Sequence, residues 1–136
     1  MTTETTNYLD KIIANSLGGM SDECVLELKI LDHFFKQLVE LGCQLVQVFD
    51  GEDVIKIKDN DIYTVLNHVF SVDESEVRFI AHSGENISLY ILLGNGETYP
   101  IYDHTVMSEE LEQQIFGNFG EIVKLYSPEM YELHWA

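Results

Sequence analysis

Apolar residues recur at two different spacings along this chain, and the switches between them mark out its elements. Over residues 7–17, Tyr8, Leu9, Ile12, Ile13 and Leu17 return every three or four positions and so share one helical face. Gly18 and Gly19 predict the end of that helix, because glycine accepts the left-handed turn at a helix C-terminus. A stronger stripe runs through Val25, Leu28, Leu31, Phe35, Leu38 and Val39 up to Gly42. Ser21 is its predicted N-cap, and Asp22 and Glu23 suit the positive end of the helix dipole.

The period then shortens. Leu45, Val46, Val48 and Phe49 are followed by Asp50-Gly51-Glu52-Asp53 and by Val54, Ile55 and Ile57, which predicts a hairpin with an acidic tip. Lys56 and Lys58 alternate with Ile55 and Ile57, so one face of that strand is wet. Helical spacing returns in Ile62, Val65, Leu66, Val69 and Phe70, with Asp59 or Asp61 as the cap. A meander is predicted next, with strands at 76–82, 87–93 and 98–102 and turns at Ser83-Gly84-Glu85-Asn86 and Gly94-Asn95-Gly96-Glu97. Leu89 to Leu93 is apolar on both faces and belongs in the sheet interior.

Ser108 begins a short helix with Leu111 and Ile115 facing inward, ended by Gly117 and Gly120. Ile122, Val123 and Leu125 suggest a sixth strand, and Ser127-Pro128-Glu129 starts a terminal helical turn with Met130, Leu133 and Trp135. The expected order is α-α-β-β-α-β-β-β-α-β-α. This describes a single α+β domain over residues 1–136, with a mostly antiparallel sheet of five to six strands and helices packed on one face.

Charge changes the picture more than size does. Asp and Glu total 24 against 7 Lys and Arg, a formal balance of −17, and the only arginine is Arg78. Residues 1–58 hold 10 acids and 5 lysines, whereas residues 59–136 hold 14 acids against Arg78 and Lys124. Such a surface repels nucleic acid and anionic lipid and attracts basic proteins. A purely solubilising role is the simpler account of the acids. The acidic clusters lie on predicted turns or helix N-termini, which accounts for their positions but not for the near-absence of compensating bases in the second half. At 46% hydrophobic residues the chain is too apolar for charge-driven disorder.

Cys24 and Cys43 lie 19 positions apart and are expected to be reduced and half-buried, matching neither a disulfide framework nor a zinc site. Residues 1–7 lack the basic start and apolar run of a signal peptide, and no apolar stretch reaches membrane-spanning length. The expected compartment is the cytoplasm.

Candidate chemistry is sparse. His82 and His104 lie at or just beyond predicted strand ends, and Asp103 precedes His104, which suggests a general base poised by a carboxylate. Adjacent strand residues point to opposite faces, so that pairing does not follow from adjacency, and no serine or cysteine sits in a nucleophile elbow. Asp50, Glu52, Asp53, Asp59 and Asp61 are oxygen-rich but do not form a calcium-binding helix–loop–helix pattern. His33, His68 and His134 have no partner at zinc-like spacing, and no phosphate-binding glycine loop is present. No cofactor, metal or catalytic residue is expected.

What remains is a set of acidic clusters. Asp59 and Asp61, then Asp73, Glu74 and Glu76, then Glu109, Glu110 and Glu112 are the expected partner-binding residues. Tyr99, Tyr102, Tyr126, Tyr131 and Trp135 gather near the C-terminus and suit either core packing or interface anchoring. In size and charge the chain is similar to small acidic inhibitors. That class includes phage proteins that mimic nucleic acid to disarm restriction or CRISPR enzymes, and immunity proteins that neutralise basic nucleases. No motif is shared, so no residue role is carried over. The leading expectation is a non-enzymatic inhibitor that covers a basic surface on a nucleic-acid-handling protein. Its rivals are an acidic homodimeric binding module or chaperone, and a small enzyme using His82 or His104.

Overall fold

The computed structural model describes residues 2–15, 20–93 and 100–135, with side chains from Tyr8 onward within those ranges except at residue 15. The helices α1 (Thr2–Asn15) and α2 (Asp22–Glu40) come first. The hairpin β1 (Gln44–Phe49) and β2 (Val54–Lys56) follows, then α3 (Ile62–Val69). The strands β3 (Glu74–Ile80), β4 (Asn86–Leu92) and β5 (Ile101–Val106) precede α4 (Glu109–Phe116), α5 (Phe119–Tyr126) and α6 (Pro128–His134). The expected glycine stop at Gly18-Gly19, the turn at 94–97 and the strand start at Thr98-Tyr99 lie outside the described residues.

The α+β class is as the apolar pattern predicts. Five strands form one sheet in the order β2-β1-β3-β4-β5, with every neighbouring pair antiparallel. The helix α3 carries the chain from the β2 edge back across β1, so β3 adds to the other side of the hairpin. The tenth element differs from expectation. Residues 119–126 form α5, with Phe119, Ile122 and Val123 buried at helical spacing, and no sixth strand is present there. Gly120 lies inside α5 instead of ending α4, because the Trp135 ring occupies the place where a side chain would be.

Caps explain several helix starts. Ser21 Oγ accepts the Cys24 N–H, Ser108 Oγ the Leu111 N–H and Ser127 Oγ the Met130 N–H. Asp61, not Asp59, caps α3, accepting from both the Thr64 N–H and hydroxyl. Asp59 and Asn60 instead take positive φ of 57° and 53° ahead of that cap. Asn60 Oδ1 accepts the Leu45 N–H at 2.8 Å beside an irregularity in the β1–β3 register.

The two sheet faces carry different rows. On one, Ile55, Val48, Val77, Leu89 and His104 align across the five strands, with Leu45, Phe79, Ile87 and Val106 beside them. These positions meet the helices and are apolar apart from His104 at the edge. Over them lies the α2 core of Leu28, Ile30, Leu31, Phe34, Phe35 and Leu38, all fully buried. Phe34 joins α2 to α4 and α5 through ring contacts at 5.2 Å to Phe116 and 4.9 Å to Phe119. The opposite face is half-buried across the middle of β3 and β4, with Glu74 and Asn86 exposed at their starts and Asp103 and Thr105 exposed on β5. Among the described residues no helix is long and apolar enough to cross a membrane.

Candidate functional site

The open sheet face is built of rows whose character changes along the strands. At the hairpin-tip end, Val54, Phe49, Glu76, Tyr90 and Asp103 stand opposite one another across all five strands. The next row is Lys56, Gln47, Arg78, Ser88 and Thr105. The first row sets Val54, Phe49 and Tyr90 beside the carboxylates Glu76 and Asp103, and the second is polar and cationic. Phe49, Val54 and Tyr102 are 38%, 51% and 50% exposed and lie together here, whereas the more exposed Met107, Leu125 and Leu133 lie elsewhere.

Around this end a shallow hollow of about 190 Å³ is lined by Phe49, Gly51, Glu74, Glu76, Tyr90 and Tyr102, among others. The presence of Gly51 in that lining shows that the acidic hairpin tip folds close to the start of β3. Asp50, Glu52 and Asp53 therefore join Asp73, Glu74 and Glu76 at one end of the sheet. The Asp50 carboxyl is held below the usual carboxylate range by the backbone N–H groups of Asp53 and Glu52, so its charge is fixed at the tip. Glu76 is partly neutralised by Arg78, whose Nη2 lies 3.3 Å from its Oε2. Arg78 Nε is buried with no hydrogen-bond partner.

The other acids expected to bind a partner do not join this end. Asp59 and Asp61 follow β2, beside Lys56 and Lys58 in a separate hollow, so their charge is locally balanced. Glu109, Glu110 and Glu112 occupy the first turn of α4, on the helix side. The eight residues thus divide into three places, and only Asp73, Glu74 and Glu76 border the open aromatic face. Sequence reading did not place the hairpin tip with that trio because they lie some twenty residues apart. Strand register brings them together.

A second concavity, of about 320 Å³, flanks the β5 edge and is lined by Tyr102, Asp103, His104, Glu112, Phe116 and Trp135, among others. His104 stacks on Phe116 at 4.1 Å, and its Nε2 lies 2.9 Å from Glu112 Oε2. Asp103 does not touch the imidazole; its Oδ1 accepts the His104 backbone N–H at 2.8 Å. His82 is exposed in the β3–β4 turn, against Gly42, and does not line this cleft. The thiols of Cys24 and Cys43 are both pushed up by burial, with Glu27 and Glu23 adding to the effect at Cys24. Neither is an activated nucleophile.

A third hollow, of about 440 Å³ between α2 and Tyr126, is lined by side chains that pair with one another. Asp32 accepts from the Tyr8 hydroxyl and from Lys36 Nζ, and His33 Nδ1 pairs with the Tyr126 hydroxyl at 2.9 Å. Gln37 and Asn118 exchange two amide bonds of 2.8 Å. These groups tie α1 and α2 together and α2 to both ends of α5. No group of three or more His, Cys, Asp or Glu with the geometry to hold a metal ion occurs among the described residues.

No known protein family, curated protein or solved structure matches the chain.

Proposed function

We propose that the protein is a non-enzymatic binding protein whose open sheet face docks on a basic surface of a nucleic-acid-handling protein and blocks it. The observation that carries this reading is the row Val54, Phe49, Glu76, Tyr90 and Asp103, flanked by Asp50, Glu52, Asp53, Asp73 and Glu74. Exposed aromatics with a carboxylate rim suit a partner rich in Lys and Arg. The alkyl stems and cationic heads of such residues pack on aromatic faces while the charges pair with the rim. A basic groove that otherwise grips phosphates presents that chemistry. The action would be cytoplasmic.

The rival readings have less behind them. A chaperone-like groove needs a continuous apolar strip, whereas the second row of the open face is polar and cationic. An enzyme using His104 has its carboxylate in Glu112, but among the described residues no serine or cysteine lines the cleft.

The test is capture from host lysate at about 50 mM salt, followed by elution at about 500 mM, where surface charges are screened within a few ångströms. The expected result is a basic nucleic-acid-handling protein that elutes with salt and is displaced by competing DNA or RNA. A partner that resists salt and ignores nucleic acid would refute the reading.

A further inference from the structure

The docking face leaves the cleft beside β5 without an occupant. Among the described residues its lining contains two carboxylates, Asp103 and Glu112, and no Lys or Arg. Lys124, on the neighbouring α5, is held over the Tyr131 ring at 4.9 Å and does not line the cleft. Each carboxylate spends one oxygen on His104: Asp103 Oδ1 on its backbone N–H and Glu112 Oε2 on its Nε2. The second oxygen of each has no partner among the described residues. Tyr102 and Trp135, the latter 37% exposed, supply aromatic walls, and Phe116 adds a ring already stacked by His104, beside Ile101 and Gln113. Tyr102 also lines the hollow on the open face, so cleft and docking face are continuous across one residue.

We infer that this cleft receives the guanidinium group of an arginine side chain projecting from the basic partner. The inference rests on the docking reading above. A guanidinium is planar, stacks on aromatic rings and offers several N–H donors in a fixed fork, so one group can stack on a ring while pairing with a carboxylate. An ammonium is a compact, strongly hydrated charge and uses flat aromatic walls less well. An anion would face two carboxylates, and the one basic side chain in the lining, His104, is already paired with Glu112. Burial of a stacked, ion-paired arginine at the margin of an aromatic patch is a common source of binding energy at protein interfaces.

The cleft can be tested apart from the partner. Trp135 is the only tryptophan, so its indole N–H gives one resolvable signal in a ¹⁵N-correlated NMR spectrum. N-acetyl-arginine amide should move that signal saturably. N-acetyl-citrulline amide, the neutral isostere, should bind roughly tenfold more weakly, as should arginine amide to the D103N/E112Q double variant. Asn and Gln keep an acceptor oxygen for His104, so the variant retains the local hydrogen bonds. No saturable shift, equal binding of citrulline, or unchanged affinity in the variant would overturn the cleft assignment. The same variant should weaken capture of the basic partner about tenfold, and unchanged capture would remove the arginine from the interface. Failure of the amide titration alongside salt-sensitive capture would sink this inference alone. Failure of capture alone would sink the docking reading.

Discussion

Replacing Phe34 by alanine probes the joint that holds the helical layer together. The side chain is fully buried, and its ring meets Phe116 at 5.2 Å and Phe119 at 4.9 Å, the latter edge-on. Removing a buried ring from such a site costs about 4 kcal/mol, combining lost transfer energy with the cavity left behind. At about 2.1 cal/mol/K of unfolding entropy per residue, the domain loses roughly 14 °C in Tm. Urea and thermal unfolding monitored by circular dichroism would measure both. Phe34→Leu keeps much of the volume and should cost about 1.5 kcal/mol. In a double-mutant cycle, Phe34→Leu and Phe119→Leu should couple by about 1 kcal/mol, the contribution of an edge-to-face aromatic pair. A cost below about 1.5 kcal/mol for the alanine variant, or no coupling in the cycle, would mean that α2 does not pack on α4 and α5 as described.

Three further outcomes follow from particular contacts. Asp32→Ala should destabilise by about 2 kcal/mol, because it leaves the Tyr8 hydroxyl and Lys36 without their shared acceptor, and chemical denaturation would measure it. Burial pushes the Tyr8 hydroxyl up, with the Asp32 hydrogen bond and charge adding to the shift, and burial also raises Tyr126. A raised folded-state value favours the neutral phenol, so this stability is fully present below about pH 10, the unfolded tyrosine value, and is lost as pH rises further. Tyr8→Phe should flatten that alkaline decline, and absorbance near 295 nm should show late-titrating tyrosines. Gly120→Ala gains about 1 kcal/mol of helix propensity, but the new Cβ would lie 2.8 Å from the Trp135 ring. The tryptophan should therefore swing outward and its emission shift to the red. Unchanged emission would contradict the packing of α6 on α5.

Periodicity made most of the fold legible. It failed where two signals conflicted. Ile122, Val123 and Leu125 look like a strand because two are β-branched, and Gly120 looks like a stop. Yet Phe119, Ile122, Val123 and Tyr126 keep helical spacing, and the glycine is explained by a tryptophan fifteen positions later. The strand β5 extends to Val106, beyond the expected end at Tyr102, because polar residues at an edge strand do not alternate cleanly. The site was less legible than the fold. Glu112 reaches His104 across the joint between β5 and α4, whereas the sequence neighbour Asp103 bonds only its backbone. Counting acids located the clusters but not their neighbours across the sheet, so the aromatics beside Glu76 became visible only through register.

The central claim is that the acid-rimmed open face is the docking surface, and charge reversal at Asp73, Glu74 and Glu76 tests it most directly. The measurement is the affinity of wild-type protein and the D73K/E74K/E76K variant for the captured basic partner over a range of salt concentrations. The account predicts a loss of at least about a hundredfold at low salt and a shallower salt dependence in the variant. An unchanged affinity with an unchanged salt dependence would contradict it and leave these acids a solubilising role.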